Sequence, residues 1–189
     1  MNNSAIVSTD LFYLRPLTRG DINNGWLKWV NDPNIAQHLT HSAFVDHASL
    51  ESYLEASQPT SAYMFAICLC DGDQYIGNAK IGSINWIHRN ATYGRIIGES
   101  TARGKGIGTE VLLALAYFAF FRLNLRRIYT GVSENNVASI ASNKKAGAVV
   151  EGKLRNHFFT DGKYTDCISF GINREDLNES NWQNRISLV

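Results

Sequence analysis

The residues from Arg103 to Gly108 have the types and the spacing of an anion-binding loop. Three glycines alternate with Lys105 and Ile107 in the stretch RGKGIG, and a glycine leaves its backbone N–H unshielded by a side chain. The apolar residues that follow recur at helical spacing, so the loop is predicted to open a helix whose free N–H groups and dipole attract negative charge. Arg103 and Lys105 add cationic side chains. The combination predicts a cradle for phosphate groups, such as a pyrophosphate.

Two common phosphate loops do not fit this stretch. A Walker A loop has a fixed spacing before its Gly-Lys pair and then Ser or Thr, whereas here Gly98 lies too far from Gly104, and Gly106 follows the lysine. The dinucleotide fingerprint Gly-x-Gly-x-x-Gly is broken by Thr109. A glycine-rich helix entry that binds no ligand remains an alternative interpretation.

The elements that must position this loop alternate between strand-like and helix-like patterns. Apolar alternation, turn residues and capping residues predict the order βαα, βββ, α, β, α, ββ, a mixed α/β sheet with helices on its faces. The residues after Asn173 are predicted to form a loose polar tail. The predicted strands are 11–17, 62–70, 75–86, 91–98, 126–132, 148–159 and 164–172, and a turn at Asp161 and Gly162 joins the last two. Four helices are predicted: two that follow the caps Asp21 and Asp46, one that begins at Ile107, and one that follows the cap Asn136.

The composition is that of one globular domain. The chain has 189 residues with a formal net charge of +1, which gives no basic excess of the kind that nucleic-acid binding favours. Its three cysteines, Cys68, Cys70 and Cys167, are an odd number, which argues against a disulfide framework and favours reduced thiols in the core and a cytoplasmic location. No paired Cys/His spacing indicates a metal site. The apolar stretches are too short to span a membrane.

Several ordered motifs together resemble the GCN5-related N-acetyltransferases (GNAT). The family's Arg/Gln-x-x-Gly-x-Gly/Ala signature is matched by Arg103, Gly106 and Gly108. The resemblance covers about residues 11–172, including NVAS at 136–139 and DGKYTD at 161–166. It implies one acetyltransferase domain over residues 1–189, with a mostly antiparallel sheet of about seven strands and helices on both faces. Strands four and five, here 91–99 and 126–132, would splay apart.

Acetyl-CoA would lie between the splayed strands. The resemblance implies that main-chain groups at the end of strand four pair with the pantetheine arm and that the glycine loop holds the pyrophosphate. Asn136 would hydrogen-bond the pantetheine, although a helix N-cap is an equally good interpretation of that residue. No metal is implied. The cofactor-binding residues are thus Ile96, Ile97, Gly98, Arg103, Gly104, Lys105, Gly106, Ile107, Gly108, Thr109, Asn136, Ser139 and Asn143.

The reaction would be direct attack of an amine on the thioester, which requires a group to take the ammonium proton. Glu99 is the first candidate base, since it follows strand four, and a purely structural role in the loop is the alternative. His88 is second because imidazole titrates in a suitable range. Many family members carry a Tyr as general acid where this chain has Asn143, so the acid step is open, and Tyr164 is a substitute candidate.

The acceptor is expected to be a small-molecule primary amine. The stretches 26–33 and 81–91 resemble the branch that acetylates nucleotide-linked amino sugars, so an amino-sugar nucleotide is the expected acceptor. The closing hairpin resembles the branch that acetylates ribosomal-protein N-termini, so a protein N-terminus is the alternative. A non-catalytic acyl-CoA-binding module is a third possibility. A monomer or a homodimer is expected, with no nucleic-acid or membrane partner. The candidate substrate-binding residues are Trp29, Asn85, Tyr93 and His157; His38, His41 and His47 are assigned no role.

Overall fold

A computed structural model describes residues 4–39, 44–57, 59–160, 162–177 and 185–189. The described strands form one sheet in the order β7-β8-β6-β5-β4-β3-β2-β1-β9. All neighbouring pairs are antiparallel except β5 and β6, which are parallel. The strands are β1 (Val7–Thr9), β2 (Phe12–Pro16), β3 (Tyr63–Leu69), β4 (Tyr75–Asn85), β5 (Asn90–Ile97), β6 (Arg127–Ser133), β7 (Val149–Thr160), β8 (Lys163–Asn173) and β9 (Ile186–Leu188).

The helices cover both faces of the sheet. A kinked segment (Ile22–Trp26), in which Asn24 and Gly25 are not helical, runs into the first helix. A π-helical turn (Phe118–Arg122) continues the fourth, and two 3₁₀ turns lie at Ser100–Ala102 and Arg174–Asp176. Alternation along β3 sends Phe65 and Ile67 into the core under the fourth helix, and Ala66 and Cys68 into a second core under the first helices. The helices are α1 (Leu27–Val30), α2 (Pro33–Ala36), α3 (His47–Ala56), α4 (Ile107–Tyr117) and α5 (Val137–Lys145).

Strands β5 and β6 separate soon after they begin. Three residue pairs join them, from Asn90 with Arg127 to Thr92 with Tyr129. Beyond Thr92 the two strands have no pairing with each other in the described structure, although β5 continues to Ile97 and β6 to Ser133. The mixed fold and the splayed pair are therefore as predicted.

Three local predictions were wrong. Asp21 does not cap a helix with its side chain, because its carboxylate instead accepts a bidentate pair of hydrogen bonds from Arg15. The tail is not uniformly loose, since β9 pairs with β1 and raises the strand number above the expected seven. Cys70 is exposed rather than in the core. Asp161 of the predicted turn and His41 lie outside the described residues.

No helix in the described ranges is both long enough and apolar enough to cross a membrane.

Candidate active site

The glycine loop is open toward solvent at the positions where a side chain would otherwise stand. Gly104 and Gly106 have φ angles of +75° and +82°, and a Cβ built on either would meet nothing within 4 Å. Gly106 occupies the N-cap of α4 without a side-chain cap. From Gly104 to Gly108 the backbone N–H groups have no acceptor within the described part of the chain. Unshielded donors at a helix N-terminus fit a pyrophosphate.

Arg103 is positioned differently from the prediction. Its Nε donates to the carbonyl of Ile97 at 3.0 Å, and its Nη2 donates to the carbonyl of Gly98 at 2.6 Å. The guanidinium thereby fastens the loop to the end of β5 instead of pointing freely at an anion. Lys105 is exposed and makes no hydrogen bond or ion pair with the described residues, so its charge can reach an anion in the loop as expected.

Only part of the β5 main chain faces the opening. The carbonyl of Ile96 lies against Gly77 of β4, and the N–H of Gly98 donates to Ile76 at 2.8 Å. By alternation, the backbone of Ile97 faces β6. Of the three predicted main-chain partners of pantetheine, Ile97 is therefore the one best placed, and Arg103 already holds its carbonyl.

Helix α5 begins with the predicted cap. The Oδ1 of Asn136 accepts from the N–H of Ser139 at 3.0 Å. The Nδ2 of Asn136 donates no hydrogen bond within the described residues, which leaves it available to a ligand. The two interpretations of Asn136 are thus compatible.

Asn143 is fully buried and bonded to Tyr93, so neither side chain lines an open site as predicted. The Tyr93 hydroxyl donates to Asn143 Oδ1 at 2.9 Å, and Asn143 Nδ2 donates to the carbonyl of Ser139 at 2.9 Å. Burial raises the pKa of Tyr93 well above its ordinary value, which keeps the phenol protonated. The Tyr93 hydroxyl of β5 therefore contacts the α5 position at which many family members have a tyrosine and this chain has Asn143.

Arg95 lies in the cleft between α4 and α5, and the sequence interpretation missed it. Its Nη2 donates to Ser142 Oγ at 2.8 Å, and the same hydroxyl is 3.2 Å from Thr109 Oγ1. A Cβ at Gly108 would lie 3.7 Å from Arg95 Nε. The sequence did contain a signal for a functional role of Arg95, because an arginine next to apolar residues in a predicted strand is unusual.

An open polar cavity lies beside the far end of β6. It brings together the segment after α2, the end of β6 and the closing hairpin, and a contact of 3.3 Å between Ser133 Oγ and Thr165 Oγ1 joins the last two. Desolvation lowers the pKa of His38 at its rim, which favours a neutral imidazole. The lining residues are Gln37, His38, Ser133, Asn135, Thr160, Lys163 and Thr165.

A family model described as an acetyltransferase (GNAT) domain matches residues 12–149. The chain belongs to this family. It is therefore an acyltransferase whose donor is acetyl-CoA. The spermidine N(1)-acetyltransferase of Escherichia coli K12 is 31% identical over 168 residues, which are 84% of each chain.

Solved structures agree with this assignment. A Vibrio cholerae spermidine N-acetyltransferase in complex with CoA and spermine is similar with a TM-score of 0.81 and 26% identity, over 87% of this chain and 96% of that one. A dodecameric structure of the Vibrio cholerae enzyme has a TM-score of 0.74 and 27% identity, over 89% of this chain and 98% of that one.

In this acetyltransferase, His88 and Asn85 lie at the closed end of the splayed strands. Asn85 Oδ1 accepts from the N–H of His88 in the turn before β5, next to where β5 pairs with β6. The opening faces the other end of β5, seven residue steps away, which is roughly 23 Å. The geometry thus argues against His88 as the base and Asn85 as an acceptor contact.

The closing hairpin also presents its predicted residues elsewhere. Lys163 and Thr165 line the cavity, so alternation directs Tyr164 to the opposite face, where it is exposed against Phe159. His157 is exposed beside Phe158 and does not line the cavity.

Trp29 and Glu99 flank the end of β5. Trp29 is buried, packs against Tyr75 at a distance of 4.8 Å between ring centroids, and contacts Gly98 directly. It therefore supports the end of β5 and does not line an acceptor site as predicted. Glu99 is partly buried at the entry to the glycine loop, and it is not among the residues that line the cavity.

Within the described ranges, no group of three or more His, Cys, Asp and Glu side chains is placed to hold a metal ion.

Proposed function

We propose that this chain acetylates the primary amine of a small molecule that carries negative charge, of which a nucleotide-linked amino sugar is the first example. The carrying observation is the polar cavity beside the end of β6. It adjoins the strand opening where acetyl-CoA is expected to lie, and Asn136 follows its lining residue Asn135 directly. An amine in this cavity would approach the thioester from the side opposite the glycine loop.

The charge of the cavity supports this acceptor class. Among the described residues that line it, Lys163 is the one permanently charged side chain, and none of them is a carboxylate. A polycation would be brought close to a like charge without a compensating anion among these residues, which is unfavourable even near a surface. A phosphate or carboxylate on the acceptor would instead be attracted to Lys163.

His38 is the group we assign to take the proton. The attacking nitrogen must lose a proton as the N–C bond forms and the C–S bond breaks, and the CoA sulfur leaves with the bonding pair. His38 is exposed at the cavity rim, where a neutral imidazole is able to accept that proton, and partial desolvation lowers its pKa from the ordinary value. Glu99 remains the alternative base, reached from the loop side.

A polyamine is the second candidate acceptor. The support comes from relatives, since proteins 31% and 26% identical to this chain act on spermidine or bind spermine. A polyamine is positively charged, so its binding would require carboxylates in addition to the described residues that line the cavity.

Steady-state CoA release with both acceptor classes tests the proposal. We expect turnover of amino-sugar nucleotides, with kcat/KM lowered about threefold to tenfold by Lys163→Glu through lost attraction at an exposed site. Lys28→Glu, on the exposed face of α1, is the matched control and should have little effect. Efficient spermidine acetylation that is lowered by Lys163→Glu, or unaffected by it, would contradict the charge argument.

The base is tested separately. His38→Gln should lower kcat while acetyl-CoA binding is retained. It should also abolish the fall in kcat that the wild-type protein shows at a pH below the ordinary histidine pKa of about 6.5. If Glu99→Gln removes turnover and His38→Gln does not, the assignment passes to Glu99.

A further inference from the structure

Arg95 is a partly buried cation that has no partner of opposite charge among the described residues. Its side chain lies between β5, the first turn of α4 and α5, and its nearest recorded partner is the neutral hydroxyl of Ser142. Within the described ranges it forms no ion pair with any carboxylate. Burial lowers the pKa of Arg95 to about 10.

Arg15, another partly buried arginine, differs from Arg95 because a carboxylate of the same chain compensates its charge. Its guanidinium makes a bidentate contact with Asp21 at 2.6 and 2.8 Å. A guanidinium removed from water is costly unless an anion and further hydrogen bonds compensate it. The contrast indicates that the compensating anion of Arg95 comes from outside the chain.

The geometry points to the pyrophosphate of acetyl-CoA as that anion: Arg95 is a further donor-binding residue, which releases Ser142 and turns to the pyrophosphate when it enters the cleft. The Arg95 Nε is next to Gly108, whose N–H belongs to the open loop. The planar guanidinium is suited to paired contacts with phosphate oxygens. The inference rests on the proposed function, specifically on acetyl-CoA as donor.

In the described structure the Arg95 side chain also links β5 to the two helices that flank it. Ser142 is bonded to both Arg95 and Thr109, so one hydroxyl of α5 is tied to β5 and to α4. The donor would exchange these neutral hydrogen bonds for charge-assisted ones, which are stronger. Ser142→Ala should therefore leave the affinity for acetyl-CoA unchanged or raise it.

Isothermal titration with three donors tests the assignment: acetyl-CoA, acetyl-dephospho-CoA, which lacks the 3′-phosphate, and acetyl-pantetheine, which lacks the pyrophosphate. Arg95→Gln should weaken binding of the first two about 10-fold to 100-fold and change acetyl-pantetheine binding less than about twofold. Arg95→Lys should retain part of the affinity. Arg122→Gln, at the exposed far end of the helix that α4 begins, is the matched control.

Thermal unfolding separates this role from a structural one. Without ligand, Arg95→Gln should melt at or above the wild-type temperature because a buried unpaired charge is removed, and the rise produced by acetyl-CoA should shrink. A lower ligand-free melting temperature with an undiminished acetyl-CoA shift would overturn the inference. So would an equal loss for acetyl-pantetheine, or a loss confined to acetyl-CoA with its 3′-phosphate. If wild-type protein bound none of the three donors, the proposed function itself would fail.

Discussion

The buried contact between Tyr93 and Asn143 is predicted to hold α5 against β5. Tyr93→Phe removes a hydroxyl that donates to Asn143 at 2.9 Å, and Asn143 has no exposed area through which water could replace it. Leaving such an acceptor unsatisfied costs about 1–3 kcal/mol of unfolding free energy. For a domain of this size, 1 kcal/mol corresponds to about 2–4 °C, so the melting temperature should fall by about 2–12 °C.

Urea unfolding provides the measurement, because a lower midpoint at an unchanged m-value identifies a loss of stability alone. Tyr129→Phe is the matched control: Tyr129 is partly buried on the neighbouring β6, and its hydroxyl makes no hydrogen bond in the described part of the chain. It should cost no more than about 0.5 kcal/mol. With Asn143→Leu added, the double variant should show a coupling of about 0.5–3 kcal/mol. Equal costs for Tyr93→Phe and Tyr129→Phe would refute the reasoning.

Three further changes test the site and its supports. Gly106→Ala places a side chain at φ +82°, so it should lower the unfolding free energy by about 1–2 kcal/mol and raise the KM for acetyl-CoA but not for the amine; an unchanged acetyl-CoA KM would argue against the loop as its site. Asn136→Ala and Asp46→Ala each remove a helix cap, so each should lower the free energy of unfolding by about 0.5–2 kcal/mol. Only Asn136→Ala should raise the KM for acetyl-CoA. Equal kinetic effects of the two variants would mean that Asn136 acts only as a helix cap. Since burial raises the pKa of Tyr93 and Tyr75, the unfolding free energy should hold below the ordinary tyrosine pKa of about 10 and fall above it; denaturation across this range should show a shallower fall in Tyr93→Phe, and identical slopes would contradict the assignment.

Local signals predicted the parts of the site that depend on local geometry. The alternating glycines before a helical repeat gave the loop, and the Asn136 cap gave the start of α5, because φ angles and caps are decided within a few residues. The family resemblance supplied the splayed strands. Nothing local shows which end of β5 opens, which is why His88 and Asn85 were assigned to the site although their turn lies at the closed end.

The side-chain roles that were missed depend on packing between distant elements. Arg103 fits a phosphate ligand by type, but the path of β5 brings two carbonyls within its reach. Arg95 and His38 gained their roles from α5 and the closing hairpin, which are far away in sequence. Asn143 was recognised as a departure from the family pattern, whereas its partner Tyr93 was visible only once β5 and α5 were placed together.

The separation of β5 from β6 gives this protein two strand edges inside its own fold. Past Thr92 the two strands do not pair with each other within the described residues, although each keeps its other neighbour. An unpaired edge is a template for any extended chain of suitable length. We infer that the molecule uses these edges to recognise acetyl-CoA, whereas most sheets cover such edges and so avoid self-association. Acetyl-CoA, whose amide-bearing arm would fill the gap, is then expected to act as a solubility factor, so that protein stripped of it should aggregate sooner on mild heating.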